Sequence, residues 1–452
     1  MKNDMDMLHG SIGDKLMKFA LPLAATGILQ QLFNAADVAV VGNWVGKKAM
    51  AAVGCNTPVI TLILSLFTGI SIGANVVIST LIGQKRHERV KSAVHTAILF
   101  AFVGGVIFAG ICELLSRQIL SKMSIPDNVF EMALLYFRVY IAGMPVILLY
   151  DFCSAVFRSY GNTRTPLICL MTSGVINVLL NLFFVIVLKM TVNGVALATV
   201  ISNLISSVLL IYFLMKEKSE IHFSPSQLRI DKKQLASMVA IGLPAGLQGM
   251  VFAISNILIQ SSINKLGSDV MAASSAAFNI EIFAYYILNS FGQGATTFVG
   301  QNYGAKNPER CIRATKIAMA QDMVITVVMS LLILLVGRHL LHIFNPDPEV
   351  VRIGSIRLKY ILLSEGINVV IEILSGCMRG YGRSIVPALI CTAGICGVRI
   401  TWVYTAFRHS QTFSTLLIAY PLSWAATGTA LVIAYTILRR HTMKPFFQES
   451  KL

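Results

Sequence analysis

Three polar side chains stand at helical spacing in an otherwise apolar stretch near the start of the chain. Gln30, Asn34 and Asp37 occupy positions i, i+4 and i+7 of GILQQLFNAADVAVVGNW, residues 27–44. In a helix this spacing places them on one face, which cannot point into hydrocarbon because a buried carboxylate there is costly. Burial favours the neutral form, so Asp37 can alternate between a protonated acid and an anion paired with a cation. The pattern predicts a site that couples a proton or cation to another process.

Two further apolar runs carry side chains that suit a cation. Asn177 and Asn181 stand four residues apart in one run, and Thr199 lies in the next. Amide, hydroxyl and carboxylate oxygens are the ligands that a hard cation prefers. The alternative for the asparagines and Thr199 is a structural role, in which they hydrogen-bond one helix to another.

The second half of the chain also places charged residues inside apolar runs. They are Glu281, Glu365, Glu372 and Arg399. For Arg399 the favoured interpretation is buried pairing with a glutamate, which would hold helices together. The other interpretation is a substrate cavity lined by Glu281, Glu372 and Arg399, in which Glu281 attracts a cationic compound.

A proline interrupts the run that contains Asp37. Pro22 lies fifteen residues before Asp37. Inside a helix, proline removes one backbone hydrogen bond and introduces a kink. We therefore expect Pro22 to act as a hinge that lets the state of Asp37 bend its helix.

The composition indicates which elements hold these residues. Of 452 residues, 55% are hydrophobic and 13% are charged, against about 25% charged in soluble proteins. The mean hydropathy is +0.72. A transmembrane helix needs about 20 mostly apolar residues. Twelve such runs lie near 16–41, 51–82, 93–115, 130–155, 166–188, 193–215, 235–263, 270–299, 314–336, 350–377, 385–407 and 413–438. The sequence predicts an all-α integral membrane protein with twelve transmembrane helices.

The net charge of +16 follows a membrane-protein pattern. Lysines and arginines concentrate in alternate loops, for example at 85–91, 216–233 and 306–316. Because such loops stay on the cytoplasmic side, both termini are expected in the cytoplasm, which requires an even number of helices. We expect a multi-pass protein of the cell membrane whose partners are the lipid bilayer and small organic molecules, with no nucleic acid.

The chain contains an internal repeat. GANVVISTLIGQKRHERVKSA at 73–93 matches GATTFVGQNYGAKNPERCIRA at 294–314, and RSYGNTRTP at 158–166 matches RGYGRSIVP at 379–387, all in one register. On the same register Asp151 corresponds to Glu372. The predicted domains are an N-lobe at 1–215, a cytoplasmic linker at 216–233 and a C-lobe at 234–452. Six helices per lobe make the repeats parallel, related by a pseudo-two-fold axis along the membrane normal, a plan that transporters use for alternating access.

These motifs together resemble the multidrug and toxic compound extrusion (MATE) family. The resemblance rests on the LP near the start of each half, the GQ and GAK loops, the RxYG blocks and NGVALATVISN at 193–203. It implies two six-helix lobes and export of amphiphilic, often cationic, organic compounds, driven by inward Na⁺ or H⁺. No cofactor is expected besides that coupling ion.

The resemblance also implies which residues bind the ion. Asp37, Gln30, Asn177 and Thr199 match an N-lobe cation site of the family, with Asp37, Asn177 and Thr199 as Na⁺ ligands. Asn181 departs from the pattern, because some members carry a second aspartate there. In the C-lobe, Phe252 and Asn368 stand where one subfamily has acidic residues, so a second cation site is expected to be absent.

Three function classes remain. The first is a cation-coupled exporter that works as a monomer, with Asp37 as the coupling carboxylate. The second is a lipid-linked oligosaccharide flippase of the same superfamily, although such proteins typically have a strongly cationic cavity. The third is an intramembrane enzyme, which we do not expect because no HExxH, GxSxG or paired intramembrane aspartate motif occurs in the right context and no P-loop motif is present.

Overall fold

The computed structural model describes residues 5–123 and 125–449, with side chains described up to residue 440. Across this part of the chain the secondary structure is helical and without strands. The α-helices are α1 Ile12–Val40, α2 Lys47–Gly83, α3 His87–Ser121, α4 Asp127–Ala142, α5 Met144–Ser159, α6 Arg164–Leu182, α7 Val192–Lys216, α8 Lys232–Asn264, α9 Ser268–Gly304, α10 Pro308–Phe344, α11 Pro348–Gly380, α12 Ile385–Cys391, α13 Val398–Tyr404, α14 Ala406–His409 and α15 Phe413–Glu449. The predicted all-α fold is confirmed.

The helices account for the predicted membrane spans. Eleven spans in the described part of the chain are long and apolar enough to cross a bilayer, and α12 to α14 form one of them. The pair α4 and α5 makes a twelfth span, bent by 48° at its break. Several helices extend beyond the apolar runs, since α3 covers 87–121 where the hydropathy predicts 93–115. Hydropathy identifies only the apolar part of a helix and does not predict its polar ends.

Three short π-helical stretches interrupt the spans. They are Val41–Val45 after α1, Phe183–Val187 after α6 and Thr392–Gly397 between α12 and α13. A π-helical turn inserts extra backbone into a helix and often marks a functional position. The first two directly follow the helices that carry Asp37 and Asn181, and the third directly precedes the helix that carries Arg399.

The backbone repeats together with the sequence. Six residues with left-handed φ angles form three pairs in the repeat register. They are Gly46 (112°) with Gly267 (104°), Lys85 (55°) with Lys306 (55°), and Gly161 (91°) with Gly382 (75°). Residues other than glycine rarely adopt such angles. The paired lysines therefore show that both halves fold through the same turns.

The chain divides into two compact units. The first contains Ala25–Gly242, and the second contains Asp6–Ala24 together with the chain from Leu243 onward. This differs from the predicted boundaries, because the start of α1 groups with the second unit and the start of α8 with the first. Each unit has its own apolar core, which includes Phe137 and Phe152 in the first and Phe291 in the second.

The segment before α1 is held in the second unit by side chains of that unit. The Arg310 guanidinium donates to the carbonyl oxygens of Met7 at 3.1 Å, His9 at 3.0 Å and Gly10 at 3.0 Å. Asn302 also donates to the Met7 oxygen, at 3.2 Å. Each carbonyl would otherwise need another donor. These bonds hold residues 7–10 against α9 and α10 of the second unit, to which Asp6–Ala24 belong.

The linker between the halves packs on α3 in the first unit. The ring of Phe223 stacks on His95 with 5.2 Å between centroids, and the Ser224 amide donates to His95 Nε2 at 3.0 Å. Asp231 caps α8 by accepting the amide of Gln234 at 3.2 Å. That hydrogen bond lowers the pKa of the Asp231 carboxyl. The linker is thus an ordered part of the first unit.

Candidate functional site

Asp37 lies where α1, α6 and α7 meet in the first unit. Its side chain is buried, with 8% of the residue exposed. Asn181 Nδ2 on α6 donates to Asp37 Oδ1 at 2.5 Å, and Thr199 Oγ1 on α7 donates to Asp37 Oδ2 at 3.2 Å. Both donors are uncharged. The structure therefore brings together three of the predicted site residues, from three different helices.

The two asparagines on α6 extend this group. Asn181 Nδ2 also donates to Asn177 Oδ1, at 3.2 Å. Asn181 Oδ1 is buried and has no hydrogen-bond partner among the described residues. An unsatisfied buried oxygen is costly unless a proton donor or a cation reaches it. The oxygens of Asp37, Asn177, Asn181 and Thr199 have the chemistry that Na⁺ requires, and a proton on Asp37 would equally remove the buried charge.

A close helix contact sets the position of α6 against α1. A Cβ atom at Gly174 would lie 1.9 Å from the ring of Phe33, so only glycine fits at this point. Phe33 is one helical turn before Asp37, and Gly174 precedes Asn177 and Asn181. Small residues allow membrane helices to approach closely. This contact brings the asparagine face of α6 within hydrogen-bond reach of Asp37.

Two tyrosines on α4 lie beside the carboxylate and were not predicted. Tyr136 and Tyr140 are both close enough to interact electrostatically with Asp37. Their rings stack with 6.1 Å between centroids. The signal in the sequence was their spacing of four residues on a helix that also faces the core. Aromatic residues at such spacing are so common that it did not distinguish them.

Two predicted members of the site are not joined to it. Asn34 is exposed and Gln30 is half-buried, and the described structure gives neither of them a hydrogen bond to Asp37. All three residues lie on one broad helix face, but the hydrogen bonds from α6 and α7 to this face reach only Asp37 among the described residues. Pro22 lies within α1, which continues through it as one helix. The border between the two units on α1 falls just after Pro22.

In the second unit Glu281 forms a buried ion pair with a residue that the sequence analysis missed. Arg357 on α11 donates to both carboxylate oxygens of Glu281 on α9, at 2.5 and 3.2 Å. A third donor of Arg357 reaches Ser274 Oγ at 2.8 Å. The charge of Glu281 is therefore matched within the protein. Arg357 was overlooked because it lies near the start of its span, where a basic residue is ordinarily taken for a loop flank.

Arg399 does not form the glutamate pair that was predicted for it. Its Nε donates to Ser423 Oγ at 3.2 Å and its Nη1 to Asn256 Oδ1 at 3.3 Å. The guanidinium lies over the ring of Tyr420, 4.2 Å from the centroid, with Trp424 at 6.0 Å. The ion pairs of the described residues do not include Arg399. The predicted Arg–Glu pairing exists in this unit, but Arg357 makes it.

Three further acidic residues of the second unit accept hydrogen bonds from neutral groups. Glu365 accepts from Asn368 at 3.0 Å, and Glu372 accepts weakly from Asn289 at 3.5 Å. Asp322, which was not predicted, is fully buried and accepts from Thr326 at 3.0 Å. Within the described residues, acidic, histidine and cysteine side chains do not assemble into a cluster that could hold a metal ion.

The fold and this site together define a class of protein. An all-helical membrane protein built from two sequence repeats, with a buried carboxylate among neutral oxygen ligands, has the architecture of a secondary transporter. The MatE family model matches residues 22–183 and 244–405. The chain belongs to the MatE family, as the sequence motifs predicted.

Individual relatives agree with this assignment. The chain is 27% identical over 433 residues to Probable multidrug resistance protein YoeA of Bacillus subtilis. The aligned residues make up 94% of this chain and 93% of that protein. It is 24% identical to Probable multidrug resistance protein NorM of Thermotoga maritima, over 88% of this chain and 87% of that protein. A solved multidrug resistance MATE family transporter of the MOP superfamily, in an outward-facing conformation, covers 99% of both chains at 19% identity, with a TM-score of 0.89. That likeness confirms the fold.

Proposed function

We propose that the protein exports amphiphilic organic compounds in exchange for inward H⁺ or Na⁺, with Asp37 as the coupling group. The observation that carries this proposal is the environment of Asp37. It is a buried carboxylate whose hydrogen-bond donors, Asn181 and Thr199, are neutral. The ion pairs of the described residues do not include it. A membrane-buried anion without a fixed countercharge is suited to take up a mobile one.

The coupling step is a change of charge at one end of α1. With Asp37 ionised, both of its oxygens accept hydrogen bonds from α6 and α7. A proton or Na⁺ bound there cancels the charge, and the free Asn181 Oδ1 supplies a further ligand. Since α1 begins in the second unit and carries Asp37 in the first, a change at Asp37 reaches the second unit along one helix. Pro22 would supply the hinge for that movement.

The substrate class is proposed from the names of the relatives and from the membrane location. Two relatives that match most of the chain are named multidrug resistance proteins. This supports transport of small, often cationic, organic molecules rather than flipping of lipid-linked oligosaccharide or an enzymatic reaction. The alternating basic loops support a location in the cell membrane with both termini in the cytoplasm. Both repeats lie on one chain, so alternating access needs no second copy and we propose a monomer.

Transport in proteoliposomes tests this proposal. Purified protein would be reconstituted, and movement of ethidium would be followed under an imposed Na⁺ gradient and then under a proton gradient. One of the two gradients is expected to drive ethidium transport in the wild type. Asp37→Asn should abolish this coupling, because the amide cannot change its charge. Asp14→Asn, at an exposed acid on the same helix, is the matched control and should transport normally.

Two results would contradict the proposal. The first is gradient-driven ethidium transport by Asp37→Asn at the wild-type rate. The second is wild-type protein that moves ethidium under neither gradient. The melting temperature of each variant, measured in the same detergent, separates loss of coupling from loss of folding.

A further inference from the structure

Arg399 is a buried arginine whose hydrogen-bonding capacity is only partly used. The residue is 5% exposed. A guanidinium has five N–H donors, and in this structure two of them are engaged, by Ser423 and by Asn256. Among the described residues, Nη2 makes no hydrogen bond and is not fully enclosed. A charged donor in this position is costly to retain unless something binds it.

Arg357 shows that a buried arginine of the second unit does not in general lack strong hydrogen-bond partners. Arg357 has a bidentate carboxylate partner in Glu281 and a hydroxyl partner in Ser274. Arg399 has only an amide oxygen and a hydroxyl. The acidic residue that acts on it electrostatically is Glu365, and one oxygen of that carboxylate is held by Asn368 rather than by the guanidinium.

The aromatic neighbours fix the plane of the Arg399 guanidinium. The ring of Tyr420 packs against its face at 4.2 Å, and Trp424, which is itself buried, lies 6.0 Å away. Stacking holds the guanidinium flat and leaves its edge for hydrogen bonding. A planar edge with free donors matches a carboxylate, which can accept two parallel N–H bonds. The half-buried ring of Tyr420 adds apolar surface for an aromatic body.

We infer that Arg399 recognises a carboxylate group on the transported compound. The inference rests on the proposed export function and narrows its substrate class. The preferred compounds are aromatic amphiphiles that carry a carboxylate, including zwitterions that also carry a cationic group. Arg399 supplies the charge and the paired donors, while Asn256 and Ser423 hold the guanidinium in place.

Two dyes that differ in one group test this inference. Rhodamine 110 has a free carboxylate, and rhodamine 123 is its methyl ester on the same cationic ring system. Binding to the purified full-length protein would be measured by fluorescence polarisation. The wild type should bind rhodamine 110 on the order of tenfold more tightly, which corresponds to one additional favourable charged contact. Arg399→Gln should bind the two dyes equally, with rhodamine 123 affinity unchanged.

A control and a second variant complete the design. Arg408→Gln removes an exposed arginine on the neighbouring helix α14 and should keep the preference for rhodamine 110. Arg399→Lys keeps the charge but loses the planar fork, so its preference should be reduced but not abolished. If Arg399→Gln does not fold, the reduced preference of Arg399→Lys for rhodamine 110 provides the test instead.

The inference is overturned if the wild type binds both dyes equally, or if folded Arg399→Gln keeps the preference. Transport of both dyes at equal rates under an ion gradient would support the export function while overturning the carboxylate site. An Arg399-dependent preference without gradient-driven transport would support the site and contradict the export function. The two proposals can therefore fail separately.

Discussion

Asp37 and Glu281, one in each unit, show two ways of satisfying a buried charge. Asp37 in the first unit has only neutral donors, whereas Glu281 in the second has a bidentate arginine. A matched pair is fixed in its charge state, because either partner alone would be left as an isolated ion. A carboxylate among amides and hydroxyls is free to gain or lose a proton or a cation. This difference marks Glu281 as structural, whereas Asp37, like Glu365 and Asp322 in the second unit, has only neutral hydrogen-bond donors.

The structural assignment of Glu281 predicts strong energetic coupling to Arg357. Glu281→Gln leaves the arginine uncompensated and should destabilise the protein by about 3–5 kcal/mol, as breaking a buried pair does. Replacing both residues, in Glu281→Gln/Arg357→Met, should recover much of that loss because no isolated charge remains. Thermal melting in detergent would measure Glu281→Gln, Arg357→Met and the double variant.

Additive losses in the double variant would contradict the pairing. Glu281 would then have to be reconsidered as the residue that attracts cationic compounds. The exposed pair of Arg117 and Glu131, at 2.7 Å, is a suitable control, since such pairs contribute little and its double variant should melt close to the wild type.

At the scale of the helix, glycine determines where the coupling site can form. The Asp37 group needs α6 to approach α1 closely enough for an amide to reach a carboxylate. Gly174 permits this approach because the ring of Phe33 occupies the place of its missing Cβ. The π-helical stretches that follow α1 and α6 lie just beyond the hydrogen-bonded turn.

Gly174→Ala should therefore disturb the site without touching a polar residue. The added methyl group must displace the Phe33 ring, and overpacking of this kind costs about 1–3 kcal/mol. We expect a lower melting temperature and weaker gradient-driven transport. Gly110→Ala is the control, because no atom lies within 4 Å of its Cβ position. Phe33→Leu in the Gly174→Ala background should restore transport, and a failure to do so would place the defect elsewhere.

The sequence predicted individual helices better than it predicted which helices pack against each other. Hydropathy and the repeat gave the spans, and polar spacing identified Asp37, Asn181 and Thr199. The same spacing included Asn34, which is exposed, because periodicity identifies a helix face but not which turn of it another helix covers. Arg357 was missed for a related reason. Its partner Glu281 is distant in sequence, and only packing of α9 on α11 brings them together.

At the scale of the whole molecule, each half contributes the start of its first helix to the other unit. Asp6–Ala24, which include the start of α1, group with the second unit, and the part of α8 up to Gly242 groups with the first. The repeat supplies a glycine at each place where such a helix packs. Gly73 on α2 lies against Met238 and Gly242 of α8, and its equivalent Gly294 on α9 lies against α1.

These equivalent glycines should differ in their tolerance of substitution. A Cβ at Gly73 would lie 2.1 Å from the Met238 carbonyl oxygen and 2.7 Å from the Gly242 amide nitrogen, which are backbone atoms that cannot move alone. At Gly294 the nearest atom, at 2.7 Å, is the end of the Leu16 side chain, which can change rotamer. Gly73→Ala should therefore lower the melting temperature and transport far more than Gly294→Ala.

From the sequence repeat alone, the two substitutions should have equal effects on melting temperature and transport. A difference between them therefore reports how α1 and α8 pack. Melting curves and ethidium transport of the two variants provide the measurement. Leu16→Ala in the Gly294→Ala background should remove the residual defect, since it frees the space that the new methyl group needs. Equal losses at Gly73 and Gly294 would contradict the close packing of α8 on α2. They would mean that the helix packing at the two glycines is equally tolerant of an added methyl group.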